Sequence, residues 1–267
     1  MAAVEYEQRG YVALVTLNRP EARNALNPEV LCRLADIWDR VAADDSVRVV
    51  IVTGTGSVFC SGADLARLIT LSTKVRQPED EWDHRILNEP GLGDKAILRV
   101  NDLDKPIIAA INGTAVAGGC EFVQGMDIRV ASDTARFGVQ EVKWALFPGG
   151  GSTVRLPAQL PYAVAMEWLL TGQLFDAQRA YELGFVNRVV PQDRVLDEAM
   201  AIADRIAANG PVAVRAIKAS AKACMGLPER EGMKVEATHS APVFRTQDAI
   251  EGPRAFLEKR EPNFQGR

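Results

Sequence analysis

The sequence predicts an α/β fold in which short buried strands alternate with amphipathic helices, followed by an all-helical C-terminal region. The chain has 267 residues, of which 47% are hydrophobic and 25% charged, as in a globular protein with a sizeable core. Apolar runs such as Val47–Thr53 are typical of strands covered on both faces, as in βαβ units. After Pro191 the pattern is helical, so we expect an α/β core over residues 1–205 and a helical region over 206–267.

The first strand and helix have clear local signals. Tyr11–Leu17 is rich in β-branched residues and ends at the turn residues Asn18–Pro20, which predicts a strand. Asn27 suits a helix N-cap and Pro28 suits the first helical position. Apolar residues then follow at helical spacing to Val41, which predicts a helix before the strand at 47–53.

The same order of elements repeats along the chain. Pro106–Ile111 predicts a strand, which a glycine-rich turn connects to a helix over Gly118–Met126. A short strand follows at Ile128–Ala131. Asp176 suits the N-cap of another helix, and Val186–Val190 predicts a strand after it. Between these units, residues 72–98 are charged and weakly periodic, which indicates a mobile loop or irregular helix beside a site.

Composition excludes several classes of function. The formal net charge is −4, so no global basic field attracts nucleic acid or an anionic membrane. The N-terminus, Met1–Gly10, has neither the apolar segment of a signal peptide nor the arginines of a transit peptide. Pro106–Cys120, the longest uncharged run, is too short to span a bilayer. We therefore expect a cytoplasmic protein that binds no nucleic acid and no membrane.

Common cofactor and hydrolase motifs are incomplete. The four cysteines form no CxxC pair, so we expect reduced and mostly buried thiols. The turn Gly54–Gly56 resembles the start of a dinucleotide fingerprint, but Phe59 occupies the third glycine position. Gly113 and Gly118 have P-loop spacing, but Gly119 stands where the phosphate-binding lysine belongs. With two histidines, no HExxH and no GxSxG, the sequence predicts neither a metal site nor a common serine triad.

Two glycine-containing turns follow apolar strands. The turn at 59–64 follows the strand at 47–53, and the turn at 112–121 follows the strand at 106–111. Ligands bind at the carboxyl ends of strands in α/β sheets, and free backbone N–H groups there stabilise negative charge. One amide from each turn would make an oxyanion hole. The alternative is that these glycines serve only tight turns and close packing.

Two glutamates follow these turns. Glu121 lies in the first turn of the predicted helix, near the free amides, and Glu141 precedes the apolar stretch Trp144–Pro148. Apolar neighbours raise the pKa of a carboxyl group, so that it holds or releases a proton near neutral pH. Two carboxylates around one centre suit the addition or removal of water. The alternatives are a helix-dipole role for Glu121 and a solvated Glu141.

The ordered set of motifs resembles the enoyl-CoA hydratase/isomerase, or crotonase, family over nearly the whole chain. The matching segments are Leu17–Pro20, Asn24–Leu26, Phe59–Leu65, Asn112–Gly113, Ala117–Glu121, Phe137–Gly138, Glu141, Pro148–Gly149, Thr171–Gly172, Ala177–Gly184, Glu251–Gly252 and Ala255–Arg260. This resemblance implies a crotonase-like ββα spiral core that binds an acyl-CoA thioester. It also implies C-terminal helices that build a trimer, often a dimer of trimers, and no cofactor beyond the CoA of the substrate.

The resemblance also assigns roles to individual residues. The amides of Ala63 and Gly118 would form the oxyanion hole. Glu121 and Glu141 would hold and activate a water molecule, and Glu141 would deliver a proton to the α carbon. The amide of Gly149 would help to position that water. The positions that contact CoA in the family are Arg23, Ser61, Ala63, Asp64 and Leu65, together with Phe256 and Lys259 from a neighbouring subunit.

The sequence departs from the family pattern near the acyl group. Gln140 stands where a proline often occurs, Trp144 replaces an aliphatic or basic residue, and Ala66 replaces a CoA-binding lysine of some members. These changes leave the chemistry intact and bear on acyl specificity. Trp82 and Trp144 are expected to line the acyl pocket, with core packing as the alternative for Trp82. Leu87 and Leu92 of the 72–98 segment are expected beside the acyl tail.

These observations favour an enoyl-CoA hydratase, which adds water across a trans-2-enoyl-CoA double bond. A Δ3-Δ2-enoyl-CoA isomerase is the alternative among enzymes, but it needs a base at Glu141 and not Glu121. A non-catalytic CoA-binding subunit is a further alternative, which the presence of both glutamates and both glycine turns disfavours.

Overall fold

Two β-sheets form the centre of the protein in the computed structural model. The structure describes residues 2–100 and 103–267, so Met1, Asn101 and Asp102 lie outside the described residues. The strands are β1 (Val4–Arg9), β2 (Val12–Leu17), β3 (Val49–Gly54), β4 (Val58–Cys60), β5 (Ile107–Ile111), β6 (Thr114–Val116), β7 (Ile128–Ser132), β8 (Arg136–Gly138), β9 (Phe175–Asp176) and β10 (Arg188–Val190). The larger sheet has the order β1-β2-β3-β5-β7-β10 and the smaller has β4-β6-β8-β9.

The strands follow one another as a spiral of repeated units. Strands β3, β5 and β7 lie side by side and parallel in the larger sheet, and the strand that follows each of them, β4, β6 or β8, lies in the smaller sheet. Each successive pair of strands thus adds one neighbouring strand to each of the two sheets. The antiparallel pairs are β1 with β2 and β8 with β9.

Helices cover the sheets and continue to the C-terminal region. They are α1 (Pro28–Ala43), α2 (Thr70–Ser72), α3 (Glu81–Asn88), α4 (Leu92–Ala96), α5 (Gly118–Gln124), α6 (Ser152–Gln159), α7 (Tyr162–Thr171), α8 (Ala177–Glu182), α9 (Val195–Ala207), α10 (Pro211–Cys224), α11 (Glu229–Val243) and α12 (Asp248–Glu258). Helix α9 packs on one face of the larger sheet, and α1 belongs to the main core on its other side. None of the helices in the described ranges has the length and hydropathy needed to cross a membrane.

Most local predictions are confirmed. Asn27 caps α1 by accepting a 2.9 Å hydrogen bond from the Val30 N–H, and Asp176 caps α8 in the same way. Strand β3 is buried on both faces because helices or a second sheet cover it. The cysteines are free thiols, and Cys60 and Cys120 are fully buried.

The structure differs from the sequence predictions in three places. Residues 72–98 hold two helices, α3 and α4, where we expected a mobile loop or irregular helix. Asp80 caps α3, the buried Asp83 pairs with Arg76, and Trp82 and Ile86 of the same helix pack against the core. The helical pattern ends at Glu258, and the last residues are irregular. The expected boundary at residue 205 falls inside α9.

Candidate active site

A cavity of about 980 Å³ opens where the strands of the smaller sheet end. Its walls come from the turns after β4 and β6, from α3 and α4, and from the 3-10 helix at Glu141–Trp144. The expected site residues that line this cavity are Ser61, Ala63, Asp64, Leu65, Gly118, Glu121, Glu141, Trp144 and Gly149. Residues far apart in the sequence therefore meet around one space.

The backbone amides of Ala63 and Gly118 lie close together where the two glycine turns meet. Gly62 has φ +91°, and a Cβ built on it would lie 3.0 Å from the Gly118 nitrogen. A Cβ built on Gly118 would lie 3.5 Å from the Ala63 nitrogen. In the described part of the chain, neither the Ala63 nor the Gly118 N–H donates a hydrogen bond. Two adjacent and unpaired donors are suited to binding an oxygen that gains negative charge.

Backbone strain sets the orientation of the second amide. Ala117, the residue before Gly118, has φ +50° and ψ −131°, which is unfavourable for a residue with a Cβ. The Ala117 N–H donates a 2.8 Å bond to the Gly138 carbonyl oxygen at the end of β8, which holds the strained residue in place. This conformation rotates the following peptide plane, which carries the Gly118 N–H.

Glu121 is fixed at the N-terminus of α6. Its side chain is 4% exposed. The Gly150 N–H donates to Oε2 at 2.9 Å, and the Ser152 N–H donates to Oε1 at 3.1 Å. These N–H groups have no partners within the helix, so Glu121 satisfies them and also interacts favourably with the helix dipole. Each carboxylate oxygen keeps a lone pair that can accept a bond from water.

Glycine at position 150 leaves room for the Glu121 carboxylate in its hydrogen-bonded position. A Cβ on Gly150 would lie 2.5 Å from Oε2 of Glu121 and 3.0 Å from Cδ1 of Ile97. By contrast, a Cβ on Gly149 would meet nothing within 4 Å, so open space lies beside that residue in the cavity.

Glu141 has a different environment from Glu121. Its Oε2 atom is buried and has no hydrogen-bond partner in the described ranges. Burial raises the pKa of Glu141 to about 7; the nearby charge of Glu121 acts in the same direction, and backbone hydrogen bonds from Glu141 and Gln140 oppose the shift. A carboxyl group with this pKa can hold a proton at neutral pH and release it.

In residues 2–100 and 103–267, no three His, Cys, Asp or Glu side chains are grouped as ligands for a metal ion.

Asp64 supports the turn that carries the first amide. Its carboxylate accepts a 3.0 Å bond from the Arg67 N–H and pairs with Arg19 at 3.1 Å. Arg19 also donates to the carbonyl oxygen of Ala25 at 2.6 Å. The sequence analysis assigned Asp64 only to CoA contact and missed Arg19. The neighbouring Leu65 lines the cavity and is 66% exposed.

Three of the expected CoA-contact residues lie outside the lining of the cavity. Arg23 is exposed beside it, and its carbonyl oxygen accepts a 3.1 Å bond from the N–H of Ser61, which does line it. Phe256 and Lys259 are exposed at the end of α12. The single chain therefore does not bring Phe256 and Lys259 to its own cavity.

Trp82, expected at the acyl pocket with core packing as the alternative, is not among the residues that line this cavity. Trp82 packs against the core, with the guanidinium of Arg33 4.9 Å from its ring centroid. Leu87 is 51% exposed to solvent, and Leu92 lines a separate cavity of about 640 Å³. Trp82, Leu87 and Leu92 lie on faces of the helices α3 and α4 that point away from the cavity of the candidate site. Other faces of the same helices form the cavity wall.

The apolar residues that do line this side of the cavity are Ile86, Gly93 and Ile97, which the sequence analysis did not single out. Helical spacing within residues 72–98 would have been the signal for them. Trp144 lies at the cavity as expected, with Leu146 and Phe147. Trp144 is 77% exposed in this single chain.

Comparisons with known proteins agree with this arrangement. Residues 7–267 match the family model described as enoyl-CoA hydratase/isomerase. The enoyl-CoA hydratase EchA19 of Mycobacterium tuberculosis is 45% identical over 98% of this chain and 96% of its own length. The (E)-benzylidenesuccinyl-CoA hydratase of Thauera aromatica is 39% identical over 98% of this chain and 99% of its own length.

A solved structure of similar sequence has the same fold. The structure of an enoyl-CoA hydratase from Mycobacterium tuberculosis superposes with a TM-score of 0.89 at 38% identity, over 100% of both chains. The spiral of ββα units is thus the crotonase fold that the family resemblance implies. From the family match, the relatives and this fold, the chain belongs to the enoyl-CoA hydratase/isomerase family.

Proposed function

We propose that this protein is an enoyl-CoA hydratase, which adds water syn to a trans-2-enoyl-CoA and forms a 3-hydroxyacyl-CoA. The observation that carries the proposal is the meeting of Glu121 and Glu141 in one cavity with the unpaired amides of Ala63 and Gly118. An isomerase needs a single acid–base group, so the placement of Glu121 on this cavity favours hydration.

The proposed reaction assigns a task to each group. The two amides hold the thioester oxygen and stabilise the enolate that forms when the β carbon is attacked. Glu121 takes a proton from a water molecule whose oxygen bonds to the β carbon. Glu141 gives its proton to the α carbon, so the double bond is consumed and no charge remains on the product. Transfer of the proton from Glu121 to Glu141 restores the starting state.

Syn addition follows from this placement if both carboxyl groups act on the same face of the substrate. The amide of Gly149, beside open space, is proposed to help hold the water. The reaction as proposed uses no metal and no cofactor besides the CoA of the substrate. Arg23, Ser61, Asp64 and Leu65 are proposed to contact the CoA part.

Self-association of the chain is part of the proposal. Large apolar side chains are exposed on α10, α11, α12 and the segments between them: Ile217, Met225, Leu227, Met233, Phe244, Ile250, Phe256 and Leu257. Such a concentration is typical of a subunit interface. We propose a trimer or dimer of trimers in which Phe256 and Lys259 reach the CoA bound to a neighbouring subunit.

The test is the loss of the conjugated enoyl-thioester absorbance when the purified protein meets trans-2-enoyl-CoA substrates of increasing length. Rapid hydration is expected, with kcat lower by about 100-fold or more in Glu121→Gln and Glu141→Gln, because each variant lacks one proton-transfer group. Both variants should still bind acyl-CoA. Near wild-type rates in either variant would refute the two-glutamate mechanism. No hydration at any length, with CoA esters still bound, would replace the proposal with isomerisation or another acyl-CoA reaction.

A further inference from the structure

The charged side chains around the cavity have one sign. Among the described lining residues, those with charged side chains are Asp64, Glu89, Glu121 and Glu141, and none is Lys, Arg or His. Arg19 neutralises Asp64, and the two catalytic candidates belong to the reaction. Glu89 is therefore the remaining charge that an acyl group would meet.

The wall formed by α3 and α4 leads from the reacting groups to Glu89. Ile97 lies beside Glu121, since both side chains come within 3.0 Å of a Cβ built on Gly150. Gly93 precedes Ile97 by one helical turn, about 6 Å. A Cβ on Gly93 would lie 3.7 Å from Cδ1 of Ile86.

Glu89 follows at the end of this path. It lies three residues after Ile86, at the C-terminal end of α3, so the two share a helix face. Pro90 and Gly91, which come next in the chain, line the cavity as well. An acyl tail that starts beside Ile97 thus passes an apolar surface first and an acidic side chain afterwards.

The charge of Glu89 is only partly neutralised. Arg85 donates to both carboxylate oxygens of Glu89, at 2.8 and 3.2 Å, and also forms two 2.9 Å bonds to Asp36. One arginine thus serves two carboxylates, and the group keeps a net negative charge. The bond from Arg85 lowers the pKa of Glu89, so Glu89 is ionised at neutral pH.

Other cations on this segment are also engaged. Arg67 pairs with Glu79 and Asp80, and Arg76 pairs with Asp83. Lys95, whose charge also lowers the pKa of Glu89, pairs with Asp39 at 2.5 Å. The described residues that line the cavity include no Lys, Arg or His that could neutralise a second carboxylate on the substrate.

We propose that the acyl site selects uncharged acyl groups and rejects acyl groups with a terminal carboxylate, and that Glu89 is the residue that determines this choice. The inference rests on the hydratase function proposed above. A terminal carboxylate on the α3–α4 wall lacks a counter-ion, loses part of its hydration and faces Glu89. An uncharged tail of the same length meets Ile97 and Ile86 at no such cost.

The experiment compares kcat/KM for pairs of trans-2-enoyl-CoA substrates of equal chain length, one ending in methyl and one in carboxylate, from six to twelve carbons. We expect the wild-type protein to prefer the uncharged member by about 10-fold at the chain length where the carboxylate reaches Glu89, because Glu89 is half exposed and solvent screens its charge. The difference should lie mainly in KM. In Glu89→Gln this preference should fall by about 3-fold. The matched control is Glu81→Gln, which changes an exposed glutamate of the same helix outside the cavity and should keep the wild-type preference.

Each outcome decides the inference. Equal hydration of both substrates by the wild-type protein, or an unchanged preference in a folded Glu89→Gln, refutes it. If Glu89→Gln does not fold, Ile86→Lys provides the second test. A cation on the same wall should also reduce the preference for the uncharged substrate. An unchanged preference in this variant again refutes the inference. Hydration of neither substrate instead refutes the proposed function, and the inference fails with it.

Discussion

Replacement of Glu141 by glutamine is expected to stabilise the folded chain above neutral pH, although it removes a proton donor. The pKa of Glu141 is about 7 in the folded state, compared with an ordinary value of 4.5. Below the ordinary value the carboxyl is protonated in both states and has no effect on stability. As pH rises towards 7, the unfolded chain loses the proton first, so the free energy of unfolding falls. Above about pH 7 the loss is complete.

The size of the effect follows from the two pKa values. Their difference corresponds to about 3 kcal/mol. Because Glu141 lines an open cavity and is only partly buried, solvent screening reduces the expected value to about 2 kcal/mol. For a chain of this size that energy corresponds to about 5 °C in Tm. Glutamine carries no charge at any pH, so the free energy of unfolding of Glu141→Gln does not fall in this way as pH rises.

Thermal unfolding followed by circular dichroism at pH 5 and pH 8 measures this effect. The Tm difference between Glu141→Gln and the wild type should be larger at pH 8 than at pH 5 by about 5 °C. Glu167→Gln, which changes an exposed glutamate on α7, should show no such dependence. The reasoning is wrong if the Glu141→Gln difference is the same at both pH values.

Three further predictions concern the catalytic geometry. A Cβ on Gly150 would lie 2.5 Å from Oε2 of Glu121, so Gly150→Ala should lower Tm and reduce kcat by about 100-fold. The control is Gly149→Ala, which should keep the wild-type Tm because open space surrounds that position. The rate of hydration, as kcat/KM, should fall about tenfold per pH unit above the pKa of Glu141, about 7, because only the protonated form donates. Since the overall equilibrium releases no proton, the kcat/KM for dehydration of 3-hydroxyacyl-CoA must show the same fall; a kcat/KM for hydration that stays constant from pH 7 to pH 9 would show that Glu141 is not the proton donor. Gly62→Ala should reduce kcat by about 100-fold with a smaller change in KM. The φ of +91° and the 2.9 Å distance from an added Cβ to Cβ of Ala117 would force the turn at 59–64, which carries the Ala63 amide, to move. An unchanged kcat would show that this turn does not carry the stabilising amide.

The parts of the fold that the sequence predicts are those with local causes. Asn27 and Asp176 each cap a helix through a hydrogen bond to the residue three positions on. The buried strands at β3 and β5 are continuous apolar runs. Such signals need only a few neighbouring residues, so one sequence suffices to read them.

The parts that it does not predict depend on distant partners. Arg19 and Asp64 are 45 residues apart, and Glu121 lies 29 residues from Gly150. Helices α3 and α4 place apolar residues both against the core and along the cavity, and ion pairs to α1, such as Arg85 with Asp36, also hold them. Helical spacing shows which residues share a face, but which face meets the cavity depends on the distant elements that pack against the helix. The sequence alone therefore does not distinguish Ile86 from Trp82 as a wall residue.

The bonds from α6 to Glu121 have an evolutionary consequence. A descendant that no longer hydrates its substrate still needs an acceptor for the N–H groups of Gly150 and Ser152, so position 121 stays under selection for stability. Loss of the glutamate therefore requires a compensating change in residues 150–152 of the same lineage. The Glu141 carboxyl accepts hydrogen bonds only from the backbone of Glu141 and Gln140, and its Oε2 has no partner among the described residues, so it caps no helix. New acyl-CoA chemistries should therefore arise more readily through changes at Glu141 than through changes at Glu121.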